Sequence, residues 1–382
     1  MAASSSGEAP PAKRARLLSE LKAHGGCTRT ALAKILSSLH KEGVLHAGVG
    51  EGAHKTLRSR ILDDTKANVE RKTPYGSLIE SMSVDAPGIS SIEYVNPFAY
   101  LHLMSSKSKR FYDMCASVRE ARIVMYVDEI CPGNPLRPDK SRTTQCVYWT
   151  VAGFPANILV QAGFWMLATV VRSSVVCKIP GGVSGLMRRI MHIWFGRSVP
   201  NFMTGVVLGH GTQSTLFRGC FSGFLADEKA LKEIYGIKGA SGSKPCLTCS
   251  NVVQFMEPEH VAGTNLVGIN CRASHLLRYN TNATIYNMVD KLRQQKAIGT
   301  KIELTRMEQA FGMNYNEHNL LFDDSLRQVI KPVDHYLRDW MHTLMSGGIF
   351  GTQVARLLRI VKAAGIRLAQ VGEYANPPGP CA

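Results

Sequence analysis

The chain has 382 residues, of which 45% are hydrophobic and 19% are charged, so it is long enough for two or three structural units with a sizeable core. Lysine and arginine outnumber aspartate and glutamate by 45 to 29, which gives a net charge of +16. This composition excludes a chain too polar to fold, and the surplus favours a polyanionic partner, above all DNA, although a merely basic soluble protein fits it too.

The longest apolar region, residues 158–179, is interrupted by Gln161, Gly163 and Arg172, so it predicts buried β structure and not a membrane span. No early segment has the apolar core of a signal peptide. We therefore expect no membrane association and a reducing compartment in which most of the ten cysteines stay free. The short basic cluster KRAR at residues 13–16 fits a nuclear-import signal or a phosphate-contacting arm.

The first 90 residues are expected to lie outside the catalytic core. Residues 1–16 predict a disordered basic N-terminus, and residues 17–90 predict a helical region followed by a linker. Two short helices joined by a Gly-Gly turn fit a helix-turn-helix that binds DNA through Arg29 and Lys34, and a plain helical hairpin fits equally well.

Residues 91–240 predict the first part of an α/β core. Three β-rich segments follow one another, then a helix opens at Gly181-Gly182, and then a strand runs into Asp227 and a further helix. This order is that of the ribonuclease-H-like fold, which has a mixed sheet with three antiparallel strands and crossover helices. In that fold the first and fourth strands lie side by side.

Asp128 ends the first predicted strand, in the run MYVDE, and Asp227 ends the fourth. If these strands are neighbours, the two carboxylates converge and can share Mg²⁺ or Mn²⁺, hard cations that prefer oxygen ligands. Alternation along the strand turns Glu129 to the opposite face. The alternative is an ordinary strand that ends in a solvated Asp-Glu pair.

A CxxC motif, Cys246 and Cys249, lies on a turn rich in Gly, Ser and Pro. With Cys271 and His275 it could complete a structural zinc site of a helical insertion, residues 241–330. Two free buried thiols are the alternative. A redox pair is less expected, because no helix begins between the two cysteines.

The third acid is expected in the C-terminal part of the core, residues 331–382. Asp339 lies near the start of a predicted helical segment with His342 three residues on, so both would share a helix face. A surface aspartate that favours the positive end of a helix is the alternative.

Taken together, the motifs VDE (127–129), LADEKALK (225–232), KGASGSKPCLTC (238–249) and DWMH (339–342) resemble the transposases of CACTA (En/Spm-type) DNA elements and the related Kyakuja–Dileera–Zisupton group. The resemblance spans about residues 121–360.

That resemblance implies a nuclear DDE/D-type enzyme that cuts and rejoins DNA with Mg²⁺ or Mn²⁺. Asp128 matches the first acid, Asp227 the second, and Cys246 with Cys249 the knuckle after it; Asp339 is the expected third ligand or its neighbour. Five basic residues of the core are candidate phosphate contacts: Arg188, Arg189, Arg197, Lys238 and Lys244.

Two other functions and the state of the protein stay open from the sequence. The chain fits a non-catalytic DNA-binding protein derived from a transposase, or a ribonuclease-H-like nuclease of another purpose. Because Glu373 is the only acid after His342, a truncated or inactive copy of a transposase also fits the sequence. A homo-oligomer on DNA is a further state that the sequence leaves open.

Overall fold

The computed structural model describes residues 71–131, 142–254, 263–269, 271–341 and 349–363. The chain divides into two units, residues 1–71 and 72–382, and the description below concerns the second. The predicted helix-turn-helix, with Arg29 and Lys34, lies outside the described residues. Among the described helices, none is long and apolar enough to cross a bilayer.

The second unit is a mixed α/β structure. Its strands are β1 Lys72–Thr73, β2 Gly76–Ser77, β3 Ile79–Ala86, β4 Ile89–Val95, β5 Ala121–Ile130, β6 Thr144–Val151, β7 Met166–Arg172, β8 Val206–His210, β9 Gln213–Phe217, β10 Gly219–Ala226, β11 Val252–Val253, β12 Val267–Gly268 and β13 Tyr336–Arg338. Its described α-helices are α1 Pro97–Lys107, α2 Lys109–Ser117, α3 Ala156–Leu159, α4 Ser173–Val176, α5 Gly182–Phe195, α6 Glu228–Tyr235, α7 Asn282–Ile298, α8 Lys301–Phe311 and α9 Ile349–Ala363.

The central sheet has five strands in the order β13-β10-β5-β6-β7. β5, β6 and β7 form the predicted antiparallel meander, and β10 returns to pair with β5 in parallel. The expectation that the first and fourth core strands are neighbours is therefore confirmed. The hairpin of β8 and β9 lies between the crossover helix α5 and β10 in the chain, and β13 adds a further parallel edge strand.

The crossover helix α5 covers one face of this sheet. Trp149 of β6 and Trp194 of α5 are 1% exposed or less, and their rings meet edge to face with centroids 5.3 Å apart. Trp149 lies opposite Met125 in the sheet, so the odd-numbered residues of β5 face α5. Ile123, Met125 and Val127 are at most 1% exposed, which makes this face the core of the unit.

Two parts of the chain differ from expectation. Residues 72–95, which the sequence assigned mainly to a linker, form the β1–β2 and β3–β4 ladders. Residues of β3 and β4 alternate between exposed and buried, as is typical of strands. Their exposed positions hold serines and acids, which are also typical of linkers. The segment 318–332, expected to be helical, contains only the short 3-10 turns Leu320–Phe322 and Asp324–Leu326.

Asp323 joins this segment to the crossover helix. Its Oδ2 lies 2.6 Å from Arg188 Nε and 2.6 Å from His192 Nε2, both on α5. Burial would raise the pKa of Asp323, but hydrogen bonds from Ser325, His192 and Arg188 outweigh it and hold the pKa well below its usual range. The side chain of Asp323 is only 6% exposed, so this contact is a structural link between the segment and the core.

Replacing Asp323 by Ala should lower the free energy of unfolding by about 2–4 kcal/mol, because two partners lose a buried acceptor. The carboxylate has a lowered pKa in the folded state, so its contribution is present above the unfolded pKa of about 4 and is lost as the pH falls below it. Urea unfolding of wild type and Asp323→Ala between pH 3 and 7 would measure the loss of stability and its dependence on pH. A difference between wild type and Asp323→Ala that grows on acidification would contradict this role.

Candidate active site

The three predicted acids lie side by side at one edge of the central sheet. The parallel ladders place Val127 of β5 opposite Ala226 of β10, and Ala226 opposite Arg338 of β13. Each of these residues is followed directly by an acid. Neighbouring strands are about 4.8 Å apart, so the three acids occupy adjacent positions at the carboxyl ends of three parallel strands: Asp128, Asp227 and Asp339.

All three acids belong to the same face of the sheet by strand alternation, the face opposite α5. Tyr126, two residues before Asp128, shares this face. Its phenol comes within hydrogen-bonding reach of Asp339, so the two side chains approach each other across the intervening strand β10. Burial first, and then the negative charges of Asp128, Asp339 and Asp227, raise the pKa of Tyr126, so all three carboxylates lie near this phenol.

Two of the carboxylates are also held by backbone groups. Asp227 is the N-cap of α6, and its Oδ1 accepts a hydrogen bond of 2.6 Å from Ala230 N. Oδ1 of Asp339 accepts a hydrogen bond of 2.8 Å from Met341 N, and the amide of Asp339 donates to Ala226 O. These contacts fix the acids at the ends of their strands, and all three side chains are half-buried.

The carboxylates do not enclose a metal-binding position as the side chains stand. Among the described residues, no three side chains of His, Cys, Asp or Glu surround one point that could hold a metal ion. The carboxylate of Asp227 is engaged by the first turn of α6, and that of Asp339 by the amide of Met341.

Asp339 lies between a strand and a helical segment. It directly follows the three-residue strand β13, which places it next to Asp227, and it directly precedes Trp340 and Met341, which are helical. The strand β13 was not expected from the sequence. His342 lies outside the described residues, so the helix face that it was expected to share with Asp339 stays a prediction.

Glu129 lies on the opposite face, as alternation predicted. Its carboxylate accepts hydrogen bonds of 2.8 Å from Lys229 Nζ and 2.8 Å from Ser173 Oγ. The contact with Lys229 is the main cause of the lowered pKa of Glu129. Glu129 is thus part of a separate cavity beside α5 and not of the acid cluster.

Cys246 and Cys249 are hydrogen-bonded to each other. This bond first, and then the hydrogen bond from Thr248 and the positive charge of Arg338, outweigh burial and lower the pKa of Cys246 to about 5. A guanidinium nitrogen of Arg338 lies 2.9 Å from Cys246 Sγ. Because Arg338 directly precedes Asp339, the cysteine turn is in contact with the strand that carries the third acid.

The rest of the predicted zinc set is not gathered around this pair. Cys271 Sγ lies 3.7 Å from Ala273 O, and His275 lies in a short 3-10 turn. Among the described residues these two do not form a metal-binding group with the CxxC pair. The four-residue zinc site stays a prediction.

The candidate phosphate contacts of the core are mostly engaged by acids. Arg189 pairs with Asp85 at 3.1 Å, and Lys238 pairs with Glu308 at 3.4 Å. Arg188 is held by Asp323, as described above. Arg197 is exposed after α5, and burial lowers the pKa of Lys244. These side chains lie around α5 and the cysteine turn. Their contact with DNA stays a prediction.

Sequence reasoning missed Tyr126 and Arg338, which connect the acids to their surroundings. Tyr126 could have been found by alternation, because it stands two residues before Asp128 on the same strand. Arg338 gave no such signal, because its partner Cys246 is distant in sequence.

Comparisons with models of protein families and with curated proteins give no match for this chain. The geometry of the acid cluster is defined by the register of the three parallel strands and by the phenol of Tyr126, which lies near all three acids.

A double-mutant cycle can measure the contact between Tyr126 and Asp339. Tyr126→Phe and Asp339→Ala should each lower the free energy of unfolding. Each single variant already removes the hydrogen bond between the two side chains, so the double variant should lose about 1 kcal/mol less than the sum of the two single losses. Urea unfolding gives the four free energies. A matched cycle of Tyr126→Phe with Asp113→Ala, an exposed acid of α2, should give no coupling. Equal values in the two cycles would rule out the contact.

The reactivity of the cysteine turn should follow the pKa of Cys246. With a pKa of about 5, Cys246 is a thiolate at neutral pH, so its alkylation by iodoacetamide should change little between pH 6 and 8. Cys249→Ala removes the largest cause of the lowered pKa, so it should raise the pKa of Cys246 and make the rate increase with pH. Peptide mass spectrometry after timed alkylation measures both, with the exposed Cys177 as the internal reference. A wild-type rate at Cys246 that increases with pH as at Cys177 would contradict the assignment.

Proposed function

We propose that this protein is a transposase-like DNA-cleaving and strand-transfer protein of the ribonuclease-H-like class, and that Asp128, Asp227 and Asp339 hold its divalent metal ions. The observation that carries the proposal is the register of β5, β10 and β13, which sets three acids at adjacent positions on one face. Three neighbouring carboxylates are costly for a fold, because like charges repel, and such clusters are typical of functional sites.

The proposed fold class is supported by the connectivity of the sheet. An antiparallel meander of β5, β6 and β7 is followed by the crossover helix α5 and by a strand, β10, that returns beside β5 in parallel. This is the arrangement that the order of predicted elements led us to expect for a ribonuclease-H-like core.

The residues at the site fit hard cations. Carboxylate oxygens are the ligands that Mg²⁺ and Mn²⁺ prefer, and Asp227 uses only Oδ1 to cap α6. Such ions, when bound, activate water or a hydroxyl group and stabilise the leaving oxygen of a phosphodiester. Tyr126 would orient the carboxylate of Asp339 through their contact across β10, and the hydrogen bond with Ala230 N would orient that of Asp227. Water would be the nucleophile for cutting, and the freed 3′-hydroxyl the nucleophile for joining.

Other parts of the proposal rest on the sequence. The net charge of +16 supports DNA as the partner, and the KRAR cluster supports a nuclear location. A structural zinc ion at the cysteine turn is also proposed, with Cys246 and Cys249 as its first ligands. Both cysteines are near the third acid through Arg338, so a metal there would stiffen that end of the sheet.

Asp227→Asn tests the proposed chemistry. Asparagine keeps an oxygen that can cap α6 but removes the charge that binds a cation, so the fold should persist while Mn²⁺-dependent nicking of duplex DNA falls at least about a thousandfold. Asp128→Asn should behave in the same way. Supercoiled plasmid, with and without Mn²⁺, is a suitable substrate.

The matched control is Asp113→Asn, which removes an acid from the exposed surface of α2 and should leave nicking unchanged. DNA binding, measured by fluorescence anisotropy, should be the same in all variants. Nicking that survives in Asp128→Asn and Asp227→Asn would overturn the proposal. Salt-sensitive DNA binding that is unaffected by Mn²⁺, with no nicking by the wild type, would favour the non-catalytic alternative.

A further inference from the structure

A cavity of about 870 Å³ opens on the face of the sheet opposite the acid cluster. Its size is within the range of small-molecule sites, roughly 300–1,000 Å³. Glu129 and Glu228 belong to its wall, and each stands directly after one of the clustered acids. The cavity and the acids therefore lie on the two sides of the same strand ends.

The N-terminus of α5 forms one side of this cavity. Gly181, Gly182 and Val183 contribute to the wall, and no side chain caps this 14-residue helix. Gly181 and Gly182 have φ of 83° and 57°, and a Cβ on Gly182 would meet nothing within 4 Å. The backbone thus approaches the cavity without side chains in front of it, and the helix presents its positive end to the space.

Asn319 supplies an independent donor. This residue is only 5% exposed, yet it is part of the cavity wall. Among the described residues, no hydrogen-bond partner of its side-chain amide is found, and its atoms are not among the fully buried polar atoms that lack a partner. The amide is therefore accessible from the cavity, and beside an uncapped helix end it can donate to an anionic ligand.

Tyr315 and a group of carboxamides complete the wall. The edge of the Tyr315 ring packs against Phe322, with centroids 5.2 Å apart, and Tyr315 also borders the cavity. The carboxamides on the wall are Gln145, Asn314, Asn316 and Asn319. Aromatic rings stack on nucleobases, and carboxamides can pair with the donors and acceptors of base edges.

The charged side chains of the wall nearly cancel. Lys229 pairs with Glu129 at 2.8 Å, and Lys232 pairs with Glu228 at 3.3 Å. Lys238 is held by Glu308, which is not part of the wall. Glu233 lies 4.0 Å from Lys229, and burial raises its pKa. The wall thus has three lysines and three glutamates, whose formal charges cancel, and the helix N-terminus adds a positive end to it.

We propose that this cavity binds a nucleoside monophosphate unit, with its phosphate at the N-terminus of α5 and beside Asn319, and its base against Tyr315. The unit has two sources, a free nucleotide or the 5′-phosphorylated terminal nucleotide of a DNA strand. The second source rests on the proposed function, because a strand bound there would pass close to Asp128 and Asp227.

Isothermal titration of the full chain in EDTA tests the site without the metal ions that the acid cluster needs. Deoxyadenosine 5′-monophosphate should bind at least tenfold more tightly than deoxyadenosine, because the phosphate supplies the anion. Asn319→Asp places a negative charge beside the phosphate and should weaken binding at least tenfold. Asn157→Asp, the same change on the exposed surface of α3, should alter it less than twofold.

Two further measurements separate the parts of the site. Tyr315→Leu should weaken binding of the nucleotide at least fivefold and leave binding of inorganic phosphate unchanged. In the wild type, the nucleotide should slow hydrogen exchange of the amides at residues 181–184, a result that does not depend on any variant folding. Unchanged exchange there, or equal binding of nucleotide and nucleoside, would overturn the proposal.

A 12-nucleotide single strand with a 5′-phosphate, compared with the same strand ending in a 5′-hydroxyl, identifies the source. Tighter binding of the phosphorylated strand than of the free nucleotide assigns the site to strand ends, and the reverse assigns it to free nucleotides. Asp227→Asn should retain nucleotide binding in either case. Nucleotide binding by a wild-type protein that does not nick DNA would overturn the proposed cleavage alone, and nicking without nucleotide binding would overturn this site alone.

Discussion

The structure depends on the parallel pairing of β10 with β5 on one side and with β13 on the other. The pairing places Val127, Ala226 and Arg338 opposite one another, so the acids that follow them lie side by side at one edge of the sheet. A shift of one residue in β10 would turn Asp227 to the other face and remove it from Asp128. The contact between Trp149 of β6 and Trp194 packs the opposite face of the sheet against α5.

Strand alternation then gives the two faces different chemistry. Asp128 and Glu129 are consecutive residues of β5 and point to opposite sides, so Asp128 joins the acid cluster while Glu129 lines the cavity. After β10, Asp227 caps α6, and Glu228, the first residue of that helix, lines the cavity. On the first face the charges are alike and raise the pKa of Tyr126. On the second they are paired with lysines, which leaves the end of α5 as the feature that attracts anions. The proposed cation site and the cavity therefore lie on opposite faces of the same strand ends.

The sequence predicted the parts of the fold that have strong local signals. The meander, the helix after Gly181-Gly182 and the strand before Asp227 were expected from their apolar patterns and glycine breaks, and the structure confirms each. Glu129 was placed on the correct face by alternation alone. The strand before Asp339 was missed because β13 has only three residues, too few for a period of two to be visible. Its position is set by pairing with β10, more than a hundred residues earlier in the chain, and pairing of this kind leaves no local pattern.

Anomalous diffraction from crystals that contain Mn²⁺ would test the central claim most directly. The account predicts a manganese peak at the carboxyl end of the sheet, with carboxylate oxygens of Asp128 and Asp227 about 2.1 Å from the metal. We expect Asp227 either to bind the ion through Oδ2 while Oδ1 still accepts from Ala230 N, or to rotate away from Ala230 N. Manganese bound only elsewhere, with Asp227 still capping α6 and Asp339 still in contact with Met341 N, would contradict a shared metal site.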